Sequence, residues 1–382
     1  MKVGIPKEVQ PGETRVAIIP ETAKRLAEKG MDIVVEAGAG AQAGHDDEAY
    51  TAVGASIEQS HEVVLGQSDL VLKVAPPATG ENGTPDETSQ CKEGGVLIAF
   101  LQPFSQRDML GKLAARNVTA CSMEMVPRIT RAQNMDALSS MATVGGYKAV
   151  LLAANAFARF FPMFMTAAGT IPPARTLVLG AGVAGLQALA TAKRLGAVVE
   201  AFDTRPVVKG EVESLGAKFI ALDLDVSHDE AQDAGGYAKE LSEDHHKREL
   251  ELIAGRLPRT DIIITTAQIP GRAAPILITT DMVKKLKPGS VIVDMAVEGG
   301  GNCELTEYGE TVVREGVTII GQTNLPALMP VHASQMYSKN LNNLVMHMAG
   351  EGEMKLDFDD PITAGVVVTH QGKIVHPALQ EG

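Results

Sequence analysis

The segment VPRITRAQNMDALSS, residues 126–140, places Arg128, Arg131, Gln133 and Asp136 within nine residues. It contains no Cys, His or Lys, and its hydroxyls are those of ordinary Thr and Ser side chains. Nothing in it titrates near neutrality, and it has no activated nucleophile. Such a set suits a reaction in which a cofactor is positioned and no proton moves at the reacting centre. Orientation of that kind can lower a barrier by several kcal/mol, on the order of 7 to 11 in favourable cases.

A second constellation lies in TLVLGAGVAGLQALATAKRLGAVVEAFD. Gly180, Gly182 and Gly185 give G-x-G-x-x-G directly after an apolar strand, with Val183 opening the following helix. The first glycine permits a tight turn, the second lets backbone approach a pyrophosphate, and the third lets helix pack on strand. The helix N-terminus then presents unpaired N–H groups to phosphate. Asp203 ends the next strand, at roughly the twenty-residue interval from which a carboxylate grips ribose hydroxyls. That carboxylate would repel a 2′-phosphate, so NAD(H) is expected over NADP(H). Thr204 and Arg205 follow it, and Arg205 is the residue that could receive a phosphate instead. In DIIITTAQIPG, residues 261–271, a strand leads to Thr266, Ala267 and Gln268 at the carboxyl edge of the sheet, where open α/β sheets bind ligands.

These groups need a frame, and the chain supplies an α/β one. Short β-branched runs alternate with helical patterns, as in doubly wound folds. Strands are expected at 2–6, 32–37, 69–74, 95–101 and 118–123, with helices at 20–29 and 105–116. A second series places strands at 176–180, 198–203, 218–222, 261–267, 290–296 and 317–321. Its helices are expected at 183–195, 207–215, 246–257 and 280–286. A helical stretch, 330–348, and a short hairpin are expected to return to the first domain. The domains are then 1–138 with 329–382, and 139–328. Residues 80–90 read as a polar surface loop, and the apolar stretch 149–174 as a buried helix linking the domains. Arg159 and Pro162 in its middle argue against a membrane span. The polar segment 223–246 is long for an α/β connection. It reads as a mobile flap, with Gly235 and Gly236 as a hinge and Tyr237 able to cover a nucleotide.

At 382 residues the chain is too long for one hydrophobic core. A formal charge of −13 argues against nucleic acid as a partner. The three cysteines, Cys91, Cys121 and Cys303, are far apart and support neither disulfides nor a zinc set, which fits a reducing cytoplasmic compartment. His245 and His246 read as a solvated pair, and no metal site is expected.

The segments RITRAQNMDALSS, GAGVAGLQALATAKRLGAVV, TAAGTIPPAR, AGGYAKE and KPGSVIVDMAVEGGGNCELT resemble the NAD(H)-binding component of proton-translocating transhydrogenase. The resemblance covers essentially the whole chain. The sequence stops before any membrane helices, which looks like the split form, with the soluble part of the alpha subunit as its own polypeptide. The resemblance implies two Rossmann-like domains with the cofactor in a cleft between them, and a homodimer. It also implies direct hydride transfer between NADH here and NADP⁺ on a separate NADP(H)-binding component. Proton translocation would run through a membrane-spanning component, leaving this chain cytoplasmic and peripheral to the inner membrane. By the same resemblance, Arg128, Gln133, Asp136 and Ser139 are the reaction-site residues. Arg128 and Asp136 would pair to fix the loop, and Gln133 would hydrogen-bond the nicotinamide ribose. Tyr237 matches the mobile-loop tyrosine.

Two rivals remain. Alanine dehydrogenases share the architecture, and residue types like Arg15 and Lys73 hold the keto acid in them. That chemistry needs an acid–base group. Where a His would stand, this sequence has Phe100, Leu101 and Gln102, and an expected Asp is Glu298. Arg15 and Lys73 then read as a structural ion-pair system. The other rival is an NAD(H)-sensing regulatory module that transfers no hydride.

Overall fold

The computed structural model describes residues 1–81, 83–221, 243–269, 272–350 and 352–380. The chain forms two compact units, Met1–Met141 with Pro326–Gly382, and Ala142–Leu325. It leaves the first unit within the helix Ala137–Ala156 and re-enters it within the 3-10 turn Leu325–Leu328.

The first unit opens with β1 (Lys2–Ile5), β2 (Asp32–Glu36), β3 (Ser56–Glu58), β4 (Leu70–Leu72), β5 (Val96–Ala99) and β6 (Thr119–Ser122). All six run parallel, in the order β3-β2-β1-β4-β5-β6. The order therefore reverses between β1 and β4, the place where doubly wound sheets open a crevice. Ser60 caps the N-terminus of the helix His61–Gln67 by accepting from the Val63 N–H, as Asp46 and Asp86 do for the helices Asp47–Thr51 and Glu87–Gln90.

In the second unit the remainder of the helix Ala137–Ala156 is followed by a small hairpin, β7 (Phe164–Thr166) and β8 (Gly169–Ile171). The sheet proper comprises β9 (Arg175–Leu179), β10 (Val198–Phe202), β11 (Lys218–Ile220), β12 (Ile262–Thr265), β13 (Val291–Asp294), β14 (Thr311–Arg314) and β15 (Val317–Ile320). Its order is β11-β10-β9-β12-β13-β15-β14, parallel except for the antiparallel edge strand β14. The central strands read RTLVL, IIIT and VIVD because both of their faces are covered. Alternation divides their side chains between two cores: Val178, Ile262, Ile264 and Val293 in one, Leu177, Leu179, Ile263 and Ile292 in the other.

The chain then returns through the helix Pro330–Met348 and a two-residue pair of strands, β16 (Ala349–Gly350) and β17 (Glu353–Met354). It ends with β18 (Val367–His370) antiparallel to β6, and β19 (Lys373–Ile374) beside it.

Two expectations fail here. The stretch 149–174 is not one helix: the helix runs Ala137–Ala156, and an irregular segment and the β7–β8 hairpin follow. Pro162 has no N–H to continue a helix, and both hairpin strands are exposed along their length, with Met165 79% accessible. Apolar composition alone could not separate core helix from exposed hairpin. The stretch 80–90 is not wholly a surface loop, because Glu87–Gln90 is a helical turn and Glu87 is fully buried. His246 keeps a partly exposed side chain, and its Nδ1 lies 2.9 Å from the buried Glu249 carboxylate. The helix Ala137–Ala156 is long and apolar enough to cross a membrane by composition. Of its most apolar window, 44% is buried inside the protein.

Candidate functional site

The glycine turn at the end of β9 is built by two different constraints. Gly180 sits at φ +95°, and a Cβ there would lie 2.6 Å from Thr266 Oγ1. Gly185 packs so closely that its Cβ would fall 1.9 Å from the Gly180 carbonyl oxygen. Both glycines are therefore required by the fold itself. Gly182 is not. Its Cβ would meet nothing nearer than Arg205 Nη2 at 4.0 Å, so open space lies against its backbone. Gly182 is also the N-cap of the twelve-residue helix Val183–Arg194, and no side chain caps that end. Val183, the first helical residue, is exposed. Uncapped N–H groups at the positive end of a helix, beside a glycine that nothing in the protein crowds, fit a dinucleotide pyrophosphate.

Asp203 follows β10 and is 6% exposed. Its Oδ2 accepts from the Ala181 N–H at 2.7 Å, tying the acid to the glycine turn. Arg205 folds back over the same carboxylate. Its backbone N–H and Nε donate to Oδ1 at 2.8 and 2.9 Å, and Nη2 donates to Oδ2 at 2.8 Å. The guanidinium that could have received a 2′-phosphate is thus already paired with the acid that disfavours one. Thr204 lies half-buried between them.

Beyond β12, the Thr266 hydroxyl donates to the Gly180 carbonyl at 3.0 Å, and the Gln268 amide donates to Met295 O at 2.9 Å. Ala267 is held on both sides by Asn302, whose Oδ1 accepts from the Ala267 N–H at 3.1 Å and whose Nδ2 donates to the Ala267 carbonyl at 2.9 Å. Asn302 is in turn fixed by Asp294, a buried carboxylate at the end of β13. Asp294 accepts from Thr265 Oγ1, Thr306 Oγ1 and the N–H groups of Ala296, Asn302 and Cys303, all at 2.8–3.0 Å. Sequence reading missed Asp294 and Asn302. The run of three glycines between them was the available signal, since a Cβ on Gly301 would sit 2.8 Å from Asp294 Oδ2.

In the first unit, residues Thr130–Met135 form a 3-10 turn after β6. Ala132 and Met135 are buried and anchor it, whereas Arg128, Gln133 and Asn134 are exposed. The Asp136 carboxylate accepts from the Ser139 N–H at 2.9 Å and from its hydroxyl at 2.6 Å, so these two residues start the helix Ala137–Ala156. Both described side-chain bonds of Asp136 go to Ser139. Arg131 pairs with Asp360, which also accepts from His347 Nε2 at 2.8 Å. Burial opposes charge on Asp360, but His347, the Thr363 N–H and Arg131 together hold its carboxyl below the ordinary range. Gly236 and Tyr237 lie outside the described residues.

Arg15 and Lys73 are both buried and ion-paired. Arg15 Nε and Nη2 reach the two oxygens of Glu13 at 2.7 and 2.6 Å. Lys73 Nζ lies 2.7 Å from Glu87 and 3.1 Å from Glu8. His61 extends the chain, with Nδ1 2.6 Å from Glu36 and Nε2 3.1 Å from Glu87. Burial would lower the His61 pKa, but the two carboxylates overcome it and raise it to about 9. Glu298 accepts from the Asn324 N–H at 2.9 Å. Burial pushes the Cys91 and Cys121 thiols up to about 12 and that of Cys303 to about 11, which leaves them unreactive. Among the described residues no group of His, Cys, Asp and Glu could hold a metal.

Residues 4–145 match the family model described as alanine dehydrogenase/PNT, N-terminal domain, and residues 149–377 match its C-terminal domain counterpart. That pair leaves two branches open. The first portion of the divided NAD(P) transhydrogenase subunit alpha from Rhodospirillum rubrum is 52% identical over 381 residues, covering 99% of each chain. The chain belongs to the NAD(P) transhydrogenase alpha-subunit family. A crystal structure of transhydrogenase from Sinorhizobium meliloti is similar at a TM-score of 0.87 and 41% identity, covering 98% of this chain and 100% of that one. The alanine dehydrogenase of Halomonas elongata is 29% identical across 100% of this chain and 96% of that one, so the shared architecture is wider than the transhydrogenase branch. Membership of the transhydrogenase family implies NAD(H) binding, and the Gly180–Gly185 turn supplies residues that fit it.

Proposed function

We propose that this chain is the NAD(H)-binding component of a proton-translocating transhydrogenase, with NADP(H) bound by a separate component. The open backbone at Gly182, at the head of an uncapped helix and beside Asp203, is the observation that carries the NAD(H) assignment. Hydride transfer breaks a C4–H bond of NADH and delivers that hydrogen with its electron pair to C4 of NADP⁺, consuming no proton at either carbon.

The chain's own residues then bind and orient. The helix N-terminus Val183–Arg194 holds phosphate, and Asp203 takes ribose hydroxyls by exchanging N–H partners for them. Thr266, Ala267 and Gln268 bound the side on which the nicotinamide ribose lies. Gln133 aligns the reacting ring, on a loop that also carries Arg128 and is continued by Asp136 and Ser139. None of these groups has to act as acid or base, which suits a cluster without Cys, His or Lys. A homodimer, an NADP(H)-binding component and a membrane-spanning component complete the assembly, with this chain peripheral to the inner membrane on its cytoplasmic side. Full-length likeness to the first portion of a divided transhydrogenase alpha subunit supports that arrangement.

The test mixes the purified chain with the NADP(H)-binding component and follows reduction of an acetylpyridine analogue of NAD by NADPH. Turnover only with that component supports the proposal. Turnover of alanine by the chain alone would replace it with the dehydrogenase reading, and NADH binding without transfer would replace it with the sensor. Gln133→Asn should slow transfer far more than it weakens NADH binding, and equal losses would count against an alignment role.

A further inference from the structure

The turn that carries Gln133 is clamped immediately to its C-terminal side. The carbonyl oxygen of Asn134 accepts from Asn340 Nδ2 and from Asn343 Nδ2, each at 2.9 Å. The two donors stand three residues apart on the helix Pro330–Met348, and side chains at that spacing share a face. One carbonyl has two lone pairs, so this arrangement fills its whole accepting capacity. On the other side of Gln133, Arg131 is held by Asp360, which His347 of the same helix also grips. Gln133 itself is exposed between the two clamps, while its neighbour Ala132 is buried and prevents the turn from rolling.

Asn340 shows that this clamp is not incidental packing. It is 6% exposed, and its Oδ1 is buried without a hydrogen-bond partner. A buried amide oxygen left unpaired costs stability, so an apolar side chain would serve stability better at this position. What Asn340 supplies is the N–H donated to Asn134.

Resting on the hydride-transfer reading above, we propose that Asn340 and Asn343 are positioning residues that set the Gln133 turn for that reaction. They touch no reacting atom. They fix the Asn134–Met135 peptide, one residue beyond Gln133, and through it the direction in which the Gln133 amide points. Misplacement of an aligning group by about 1 Å can slow a reaction on the order of a hundredfold, so a lost donor here is felt in rate and not in nucleotide affinity.

Asn343 is half-buried, which makes it the variant to test. Asn343→Asp keeps the shape but turns a donor into an acceptor facing a carbonyl oxygen. With the NADP(H)-binding component, NADPH and the acetylpyridine analogue at saturation, transfer by Asn343→Asp should fall at least tenfold. NADH affinity, read by fluorescence titration, should stay within twofold. Asn343→Ala, which removes the donor without adding charge, should fall about threefold and carries the test if the Asp variant does not fold. In a Gln133→Ala background, Asn343→Asp should cost less than a further twofold, because the group it positions is gone.

Wild-type rates in Asn343→Asp would overturn the proposal. So would an equal loss of NADH affinity, or an undiminished effect in the Gln133→Ala background. A wild-type chain that transfers no hydride to the partner component would instead sink the reading beneath it, and that outcome is distinguishable because it needs no variant.

Discussion

The two sheets share one winding and put it to opposite uses. In each, the order reverses between two central parallel strands, β1 and β4 in the first unit and β9 and β12 in the second. In each, an acid at the end of the neighbouring strand grips the backbone two residues past the central strand. Glu36 Oε2 accepts from the Lys7 N–H and Asp203 Oδ2 from the Ala181 N–H, both at 2.7 Å. The difference is what stands around that bond. After β9 come glycines and an uncapped helix, leaving backbone N–H groups for a ligand. After β1 come Pro6, Lys7 and Glu8, and the region is filled by the chain Glu36–His61–Glu87–Lys73–Glu8. Topology locates a crevice, and the side chains at its mouth decide whether anything else can enter.

The largest effect that would test this contrast is expected at Lys73. Lys73→Met leaves Glu8 and Glu87 buried without their cation and should lower unfolding free energy by about 3–5 kcal/mol in a urea titration. NADH affinity of the folded variant should not move, and a parallel loss would mean that the charged crevice also serves the nucleotide. Gly182→Val should do the reverse. No protein atom crowds that position, so melting temperature should hold while NADH affinity falls about thirtyfold, roughly 2 kcal/mol. Retained affinity would show that no phosphate approaches there.

Asp203→Ala should relax the preference for NADH over NADPH about tenfold, since it also releases Arg205 from its pair. Unchanged selectivity would remove the ribose from this carboxylate. The smallest effect is a slope. The folded His61 pKa, about 9, lies above its unfolded value, so its stabilisation is complete below about 6.5 and is lost as pH rises through 9. Stability measured from pH 7 to 9.5 should decline in the wild type and less steeply in His61→Gln. Parallel slopes would exclude His61 as the source.

What the sequence disclosed follows the same division. The glycine turn and Asp203 were readable because their geometry is set by backbone and by neighbours within a few dozen residues. The charged crevice was not. Lys73 meets Glu8 across 65 positions and Glu87 across 14, and Glu87 belongs to a stretch whose composition reads as surface. Pairing Arg15 and Lys73 with acids was a sound expectation, although their partners could not be named. The Asn134 clamp was hidden for the same reason, since its donors lie more than two hundred residues downstream. The exposed β7–β8 hairpin was misread because hydrophobicity without a regular period does not say whether a segment is covered.

Asp294 has a mechanical consequence. One carboxylate ties the last residue of β12, the start of the glycine-rich loop, its far end and Thr306 to a single point. These pieces cannot loosen one at a time without stranding a buried charge among too few donors. The rim they form is therefore stiff or released as a whole, and a disturbance at Thr306 should be felt at Ala267 through Asn302 with little attenuation.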